Sequence, residues 1–419
     1  MSNGPRLVVL PTLPVARSGD RFILTRKFIS GLCEYQRSWP GPVQVVMEPA
    51  PDASDNLDNV AVRQEDLPFE LTVLPHESLE IAGVLQGAAV AMLAVHYRQT
   101  HLAQLCAHLN VPCIYGAEYS LRTRLQIART NAPGPLRFAR QALWLFGEEW
   151  RIRRAVAAAS GVQCNGIPTY EAYRRINPCT ILFFDTRVRT SMLADESALH
   201  RRFKDRRRRG ELRLVFSGRL IAIKGADDLV VVADALRRSG RPFRLFICGS
   251  GTLEPRMRHE VKRRGLDDVV CFKGNLDFEQ ELLPFIRDEI DLFVCCHRQG
   301  DPSCTYLETM ACGVPIVGYS NEAFHGVMEA SRAGWATPIN RPALLAARIT
   351  ALSDEDIDSH SLRSLAFARE HTFEKEFERR MEHARDLAGL ASAAPNASLS
   401  AHQDELQGMR STGLKGRIA

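Results

Sequence analysis

Asp291-Leu-Phe-Val-Cys-Cys-His-Arg-Gln-Gly300-Asp301-Pro302-Ser-Cys-Thr305-Tyr306-Leu307-Glu308-Thr-Met-Ala-Cys-Gly313-Val-Pro315-Ile-Val-Gly318 reads as strand, loop, helix, turn and strand. The short apolar run before Cys296 fits a strand covered on both faces. Asp301 followed by Pro302 predicts an N-cap and a first turn, and Gly313 then Pro315 predict the helix end. Such a helix opens at a strand's carboxyl end, where its N–H groups and dipole can hold an anion. Seven residues make about two turns, so Asp301 and Glu308 should share a face. Glu308 stands among Tyr306, Leu307, Met310 and Ala311. A carboxylate in that company needs partners, and a ribose diol would donate two hydrogen bonds.

Outward from this stretch the same beat recurs. Leu212–Phe216, Phe243–Cys248, Val269–Phe272, Ile290–Cys295 and Pro315–Val317 predict strands separated by helical segments. So do Leu7–Leu10, Val43–Met47, Leu71–Leu74, Ala89–Val95 and Cys113–Tyr115, with helices expected over Phe22–Trp39 and Gln99–Leu109. The alternation predicts two Rossmann-like α/β domains with parallel sheets, facing each other across a cleft. Residues 1–190 form the expected N-terminal domain, 191–210 a basic linker around His200-Arg-Arg-Phe-Lys-Asp-Arg-Arg-Arg-Arg209, and 211–355 the C-terminal domain. Residues 356–391 are expected as helices bracing the N-domain and 392–419 as a polar, disordered tail.

Two further loops carry chemistry. Phe216-Ser-Gly218-Arg219-Leu-Ile-Ala-Ile-Lys224-Gly225 brings two cations to one βα loop, a fork of donors and a point charge suited to a diphosphate. Phe246-Ile-Cys-Gly249-Ser-Gly251 ends the next strand in a glycine turn that can admit a base or phosphate. The G-x-G-x-x-G fingerprint is not completed, since Glu254 and Pro255 stand where the third glycine would fall.

Together these segments, with Cys271-Phe-Lys-Gly274-Asn-Leu276 and Gly334, resemble the family 4 glycosyltransferases of GT-B fold over about 210–385. The resemblance implies that Arg219 and Lys224 grip a nucleotide diphosphate and that Glu308 holds the ribose. It sets the backbone of Cys304, Thr305, Tyr306 and Leu307 against the phosphates, and Gly274 and Leu276 beside the base. It also implies a loop at Ser18-Gly19-Asp20 near acceptor and diphosphate, with Gly19 among the donor-binding residues, and cleft-facing His96 and Glu118 at strand ends, with Asp301, as catalytic candidates. Family members carry a second glutamate eight residues before the ribose glutamate. Here that place is Gly300, and Asp301 either replaces the glutamate or caps the helix, the cap being the preferred reading. The implied reaction is hexosyl transfer from a nucleotide-diphosphate sugar to an acceptor hydroxyl with retention of configuration, in bacterial-type polysaccharide, glycolipid or glycoconjugate synthesis. A sugar-nucleotide epimerase of the same fold and a non-catalytic sugar-nucleotide-binding module are the alternatives.

Composition bounds the rest. The chain has 419 residues, 45% hydrophobic and 25% charged, with a net charge of +5. That is a globular balance without the aromatic-interleaved basic face of a nucleic-acid binder. Eleven scattered cysteines fit no zinc spacing and read as reduced and buried. No D-x-D metal motif is convincing, since Asp354-Glu-Asp356 opens a polar helix and Asp55…Asp58 lies in a loop. No metal and no cofactor beyond the donor are expected. Pro11 and Pro14 interrupt the first apolar run, and Ile81–Val95 is too short for a membrane span. The expected location is cytoplasmic, with an optional peripheral contact at an anionic inner membrane face. Arg137–Arg154 mixes bulky apolar residues with arginines. It reads as a packed helix, the preferred reading, or as an amphipathic patch reaching lipid-linked or glycan acceptors.

Overall fold

The computed structural model describes residues 4–53, 59–132 and 134–390. The expected tail and the Asp55…Asp58 loop lie outside the described residues. Contacts divide the chain into two compact units. One comprises residues up to Tyr115, Ala158–Ser160 and the chain from Phe377 on, and the other comprises Gly116–Ala157 and Gly161–Glu376.

In the first unit Leu7–Val9 is the central strand. Val43–Met47 and then Glu70–Val73 lie on one side of it, and Val90–Ala94 and then Cys113–Ala117 on the other. Starting in the middle and winding outward both ways is the doubly wound order. The β-branched and apolar runs are buried on both faces, as parallel strands under helices require. The C-terminal helix Phe373–Leu387 contributes Met381 and Ala384 to this core. Arg385 there donates to the Ser38 carbonyl that ends the helix Arg26–Ser38. Residues 22–25, expected as helix, are strand instead. Arg21–Thr25 pairs with Ala16–Ser18 and with Asn59–Val62 in a small antiparallel sheet, and Thr25 then caps the helix.

The second unit holds a six-stranded parallel sheet in the order Val270–Gly274, Phe243–Cys248, Leu212–Ser217, Leu292–Cys295, Ile316–Tyr319, Trp335–Thr337. The first strand in chain order again sits in the middle. The topological switch point therefore falls between Leu212–Ser217 and Leu292–Cys295, where such sheets bind ligands. A parallel pair, Gly161–Asn165 with Thr180–Phe183, also belongs to this unit. The fold is α/β with two parallel, Rossmann-like sheets.

Two stretches depart from expectation. The basic run is no linker but the helix Glu196–Arg209, capped by Asp195 and ended by Gly210. Two of its arginines are buried. Arg202 donates to the carbonyls of Arg287, Cys312 and Gly313, and Arg206 pairs with Asp354 and Asp358. A helix of this kind uses charge to satisfy neighbouring carbonyls and carboxylates that burial would leave unbonded. The helix Pro135–Ala158 packs on one side only, through Leu145, Ile152, Ala155 and Val156. Its other side is exposed and carries Leu136, Leu143, Trp144, Phe146 and Trp150. Among the described residues no helix is long and apolar enough to cross a membrane, and all eleven cysteines are free thiols.

Candidate active site

The switch point of the second unit is built by three glycine turns. Gly249 adopts φ 124°, and a Cβ there would run into the Gly218 carbonyl oxygen, so only glycine lets these two strand ends touch. Its N–H donates to the Gly274 carbonyl at 2.6 Å, joining the third strand end to the other two. Across the switch, Gly225 holds φ 63° with its Cα against the Cys296 carbonyl, which brings the loop 218–225 onto the loop that follows Leu292–Cys295.

Packing those loops together brings Lys224 to Asp301. The buried ammonium donates to Asp301 Oδ2 at 2.8 Å, with both side chains largely shielded from water. Asp301 is therefore no helix cap. The helix is Thr305–Ala311 and its cap position is Cys304, because Asp301–Ser303 form a turn ahead of it and the carboxylate is drawn to Lys224 instead. Arg219 is exposed on the same loop as Lys224. Tyr119 lies within reach of this charge set. Burial, then the charges of Glu118 and Asp301, push its hydroxyl up to about 12, opposed by Arg219. The charges of Glu118, Asp301 and Arg219 are thus all felt at one phenol.

Glu308 is buried and accepts from Arg187 Nε at 2.7 Å. The Arg187 guanidinium lies 3.6 Å from the centre of the Phe278 ring, just beyond the Gly274–Leu276 turn, and Leu276 is half-buried against the same core. Arg187 and Phe278 escaped the sequence reading. The available signal was Glu308 itself: a buried carboxylate demands a cation, and Arg187 follows the carboxyl end of Thr180–Phe183. Thr305 is half-buried, whereas the side chains of Tyr306 and Leu307 point into the core. The Tyr306 hydroxyl meets Asn321 Nδ2 at 3.3 Å and His297 Nδ1 at 3.4 Å. Behind the loop His297 is fully buried and held neutral by burial and by the Lys224 charge.

Gly300 has a physical reason. Its N–H donates to Gln126 Oε1 at 3.0 Å and its carbonyl accepts from Thr123 Oγ1 at 3.1 Å. A Cβ would stand 3.1 Å from the Glu322 Cβ and 3.2 Å from Thr123 Oγ1. The helix Leu121–Asn131 thus holds the loop where the resemblance places a glutamate, and Arg122 pairs with Glu322 alongside at 2.9 Å. A narrow crevice runs beside Ser303, Tyr306 and Leu307, lined also by Asn165, Gly166, Phe184 and Asp185. Gly19, in the turn between Ala16–Ser18 and Arg21–Thr25 at φ 62°, and His96, two residues past Val90–Ala94, belong to the first unit. Burial and then Arg98 lower the His96 pKa.

Residues 200–368 match the sequence profile of the family described as glycosyl transferases group 1. WcaL of Escherichia coli K12, named for colanic acid biosynthesis, is 29% identical over 153 residues, 35% of this chain and 37% of that protein. The amylovoran biosynthesis glycosyltransferase AmsK of Erwinia amylovora is 28% identical over 153 residues, with the same shares. The match thus spans little more than a third of these relatives. In fold, HepE of Anabaena, solved with UDP, superposes with a TM-score of 0.65 at 14% identity, covering 92% of this chain and all of that one. The lipopolysaccharide outer core galactosyltransferase WaaB superposes at 0.59 and 9% identity, covering 90% and 98%. The stretch that matches the group 1 glycosyl transferases, residues 200–368, contains Arg219, Lys224, Asp301 and Glu308, and the fold is that of the GT-B glycosyltransferases it superposes on.

Proposed function

We propose that the protein transfers a hexosyl group from a UDP-sugar to a hydroxyl of a glycan or lipid-linked acceptor, with retention of configuration. The observation that supports this reading is the charge set at the switch point of the family-matched sheet, with Arg219 and Lys224 on one loop, Lys224 bonded to Asp301, and the buried Glu308 bonded to Arg187. UDP is the nucleotide of choice because HepE has been solved with UDP and with UDP-glucose. WcaL and AmsK are named for colanic acid and amylovoran biosynthesis, which favours an acceptor in bacterial polysaccharide synthesis.

In this reading the acceptor oxygen bonds to the anomeric carbon as the bond to the leaving diphosphate breaks. Arg219 and Lys224 take up the charge that develops on the diphosphate, so no metal is needed for that step. The acceptor proton passes to the leaving phosphate on the same face. Glu308 fixes the ribose, the main chain of Thr305, Tyr306 and Leu307 approaches the phosphates, and the turns at Gly249, Gly274 and Leu276 border the base. Asp301 and Glu118 are assigned to the sugar side, and Gly19 and His96 to the acceptor side.

A thermal-shift screen of nucleoside diphosphates and their sugars tests the donor, followed by transfer to a chromatographed acceptor with and without EDTA. Stabilisation by UDP-sugars and transfer that survives chelation are expected. Release of free sugar or epimer without transfer would favour the epimerase, and no turnover with any donor would favour a binding module.

A further inference from the structure

We propose that the helix Pro135–Ala158 docks on an anionic lipid surface, lying in the headgroup plane with its exposed side inward. The inference is independent of the sugar-transfer reading. Leu136, Leu143 and Trp150 recur every seven residues along one side and are 85%, 75% and 61% exposed. Phe146, at 55%, and Trp144, at 46%, flank them. Side chains of this size and exposure on consecutive turns lose hydrophobic free energy in water, and a globular surface seldom tolerates so many together.

The charges choose the partner. Arg137, Arg140, Arg151, Arg153 and Arg154 are also exposed on this helix, and Arg154 lies over the Trp150 ring at 4.8 Å. The helix has two acids, Glu148 and Glu149, and both are buried. Arg124 of the preceding helix pairs with both, and Arg153 with Glu149. Burial removes every negative charge of the helix from its exposed side. That side presents arginines and bulky apolar groups, with Gln141 and a few small residues, and no carboxylate. A two-fold contact with a second copy would set these arginines against one another with no carboxylate between them, which disfavours self-association. A lipid surface supplies phosphates for the guanidinium groups and an acyl boundary for the tryptophan and leucine side chains at the same depth. The charged side and the buried glutamates rule out spanning, since the helix cannot bury all its faces in hydrocarbon.

The test uses the full chain and vesicles of phosphatidylcholine with and without phosphatidylglycerol. Co-sedimentation and a blue shift of tryptophan emission are expected with the anionic vesicles alone, weakening as salt rises. Trp39 is buried and Trp335 half-buried, so the shift reports Trp144 and Trp150. In R140Q/R151Q/R154Q each lost charge should weaken vesicle binding about fivefold, from the contribution of a basic residue near an anionic surface. Leu136→Ser with Leu143→Ser should abolish the blue shift by an independent route, and both variants should melt like the wild type because the side chains are exposed. Equal binding to neutral vesicles, variants that bind as the parent does, or a lipid-free dimer whose formation itself shifts the emission would overturn the proposal.

Discussion

The Lys224–Asp301 pair makes a quantitative claim that a double-mutant cycle can reject. At 2.8 Å between Nζ and Oδ2, an effective dielectric constant near 20 gives an attraction of about 6 kcal/mol. Removing two such groups from water takes back much of that, so a net coupling of about 2–3 kcal/mol is expected. The two single changes should differ. Asp301 Oδ1 is buried and has no hydrogen-bond partner, so Lys224→Met leaves a shielded carboxylate with its charge uncompensated, at about 3–5 kcal/mol. Asp301→Asn keeps a polar group of the same shape and should cost less, and the double variant should be less destabilised than the sum. At roughly 2–4 °C per kcal/mol for a unit of this size, Lys224→Met should lower Tm by about 6–12 °C or more. UDP titration adds a second axis. Loss of Lys224 should weaken UDP by about 1.5–3 kcal/mol, the worth of a charged hydrogen bond. Asp301→Asn frees the ammonium and should leave UDP affinity unchanged or raised. Additive stabilities within about 0.5 kcal/mol, or equal UDP losses in the two single variants, would refute both the pair and the diphosphate assignment.

Glu308→Gln should weaken UDP more than its 2′,3′-dideoxy analogue, because the analogue has no diol to donate. Equal losses measured by calorimetry would remove the ribose role. His297 and His76 are buried and held below the ordinary histidine value, chiefly by burial. The unfolded chain therefore binds more protons below pH 6.5. Stability should be flat above that and fall as pH drops toward the folded values, at up to about 1.4 kcal/mol per pH unit per histidine. Denaturation at several pH values checks the slope, and His297→Gln should reduce it.

The C-terminal sheet was legible because its strands are buried on both faces and its turns need particular residues. Gly249 and Gly225 sit where backbone meets backbone, and Gly313 ends the helix as its position predicts. Asp301 was misread because the cap rule uses sequence distance alone. The partner that outcompeted the helix N–H groups, Lys224, is 77 residues away. Arg187 was missed for the same reason, as the buried carboxylate it neutralises lies beyond any local pattern. The basic run at 200–209 looked solvated since composition cannot tell an arginine in water from one bonded to three carbonyls, as Arg202 is. Residues 22–25 lost their helix to a strand pairing with Asn59–Val62, a tertiary choice that overrides local periodicity.

The clamp of Thr123 and Gln126 on Gly300 bears on how such enzymes can be recombined. A fragment cut to the family-matched residues 200–368 would keep Lys224, Asp301 and Glu308. It would strip both polar groups of Gly300 of their partners and leave Glu322 without Arg122. Chimaeras that exchange donor halves at the apparent mid-chain seam would meet the same break. The transplantable piece is discontinuous in sequence: the C-terminal sheet together with 116–157, the stretch that also bears the arginine-rich helix. Any change to the loop at Gly300 must therefore accommodate a helix encoded well upstream, which couples that loop to the same stretch of chain that bears the exposed arginine-rich helix.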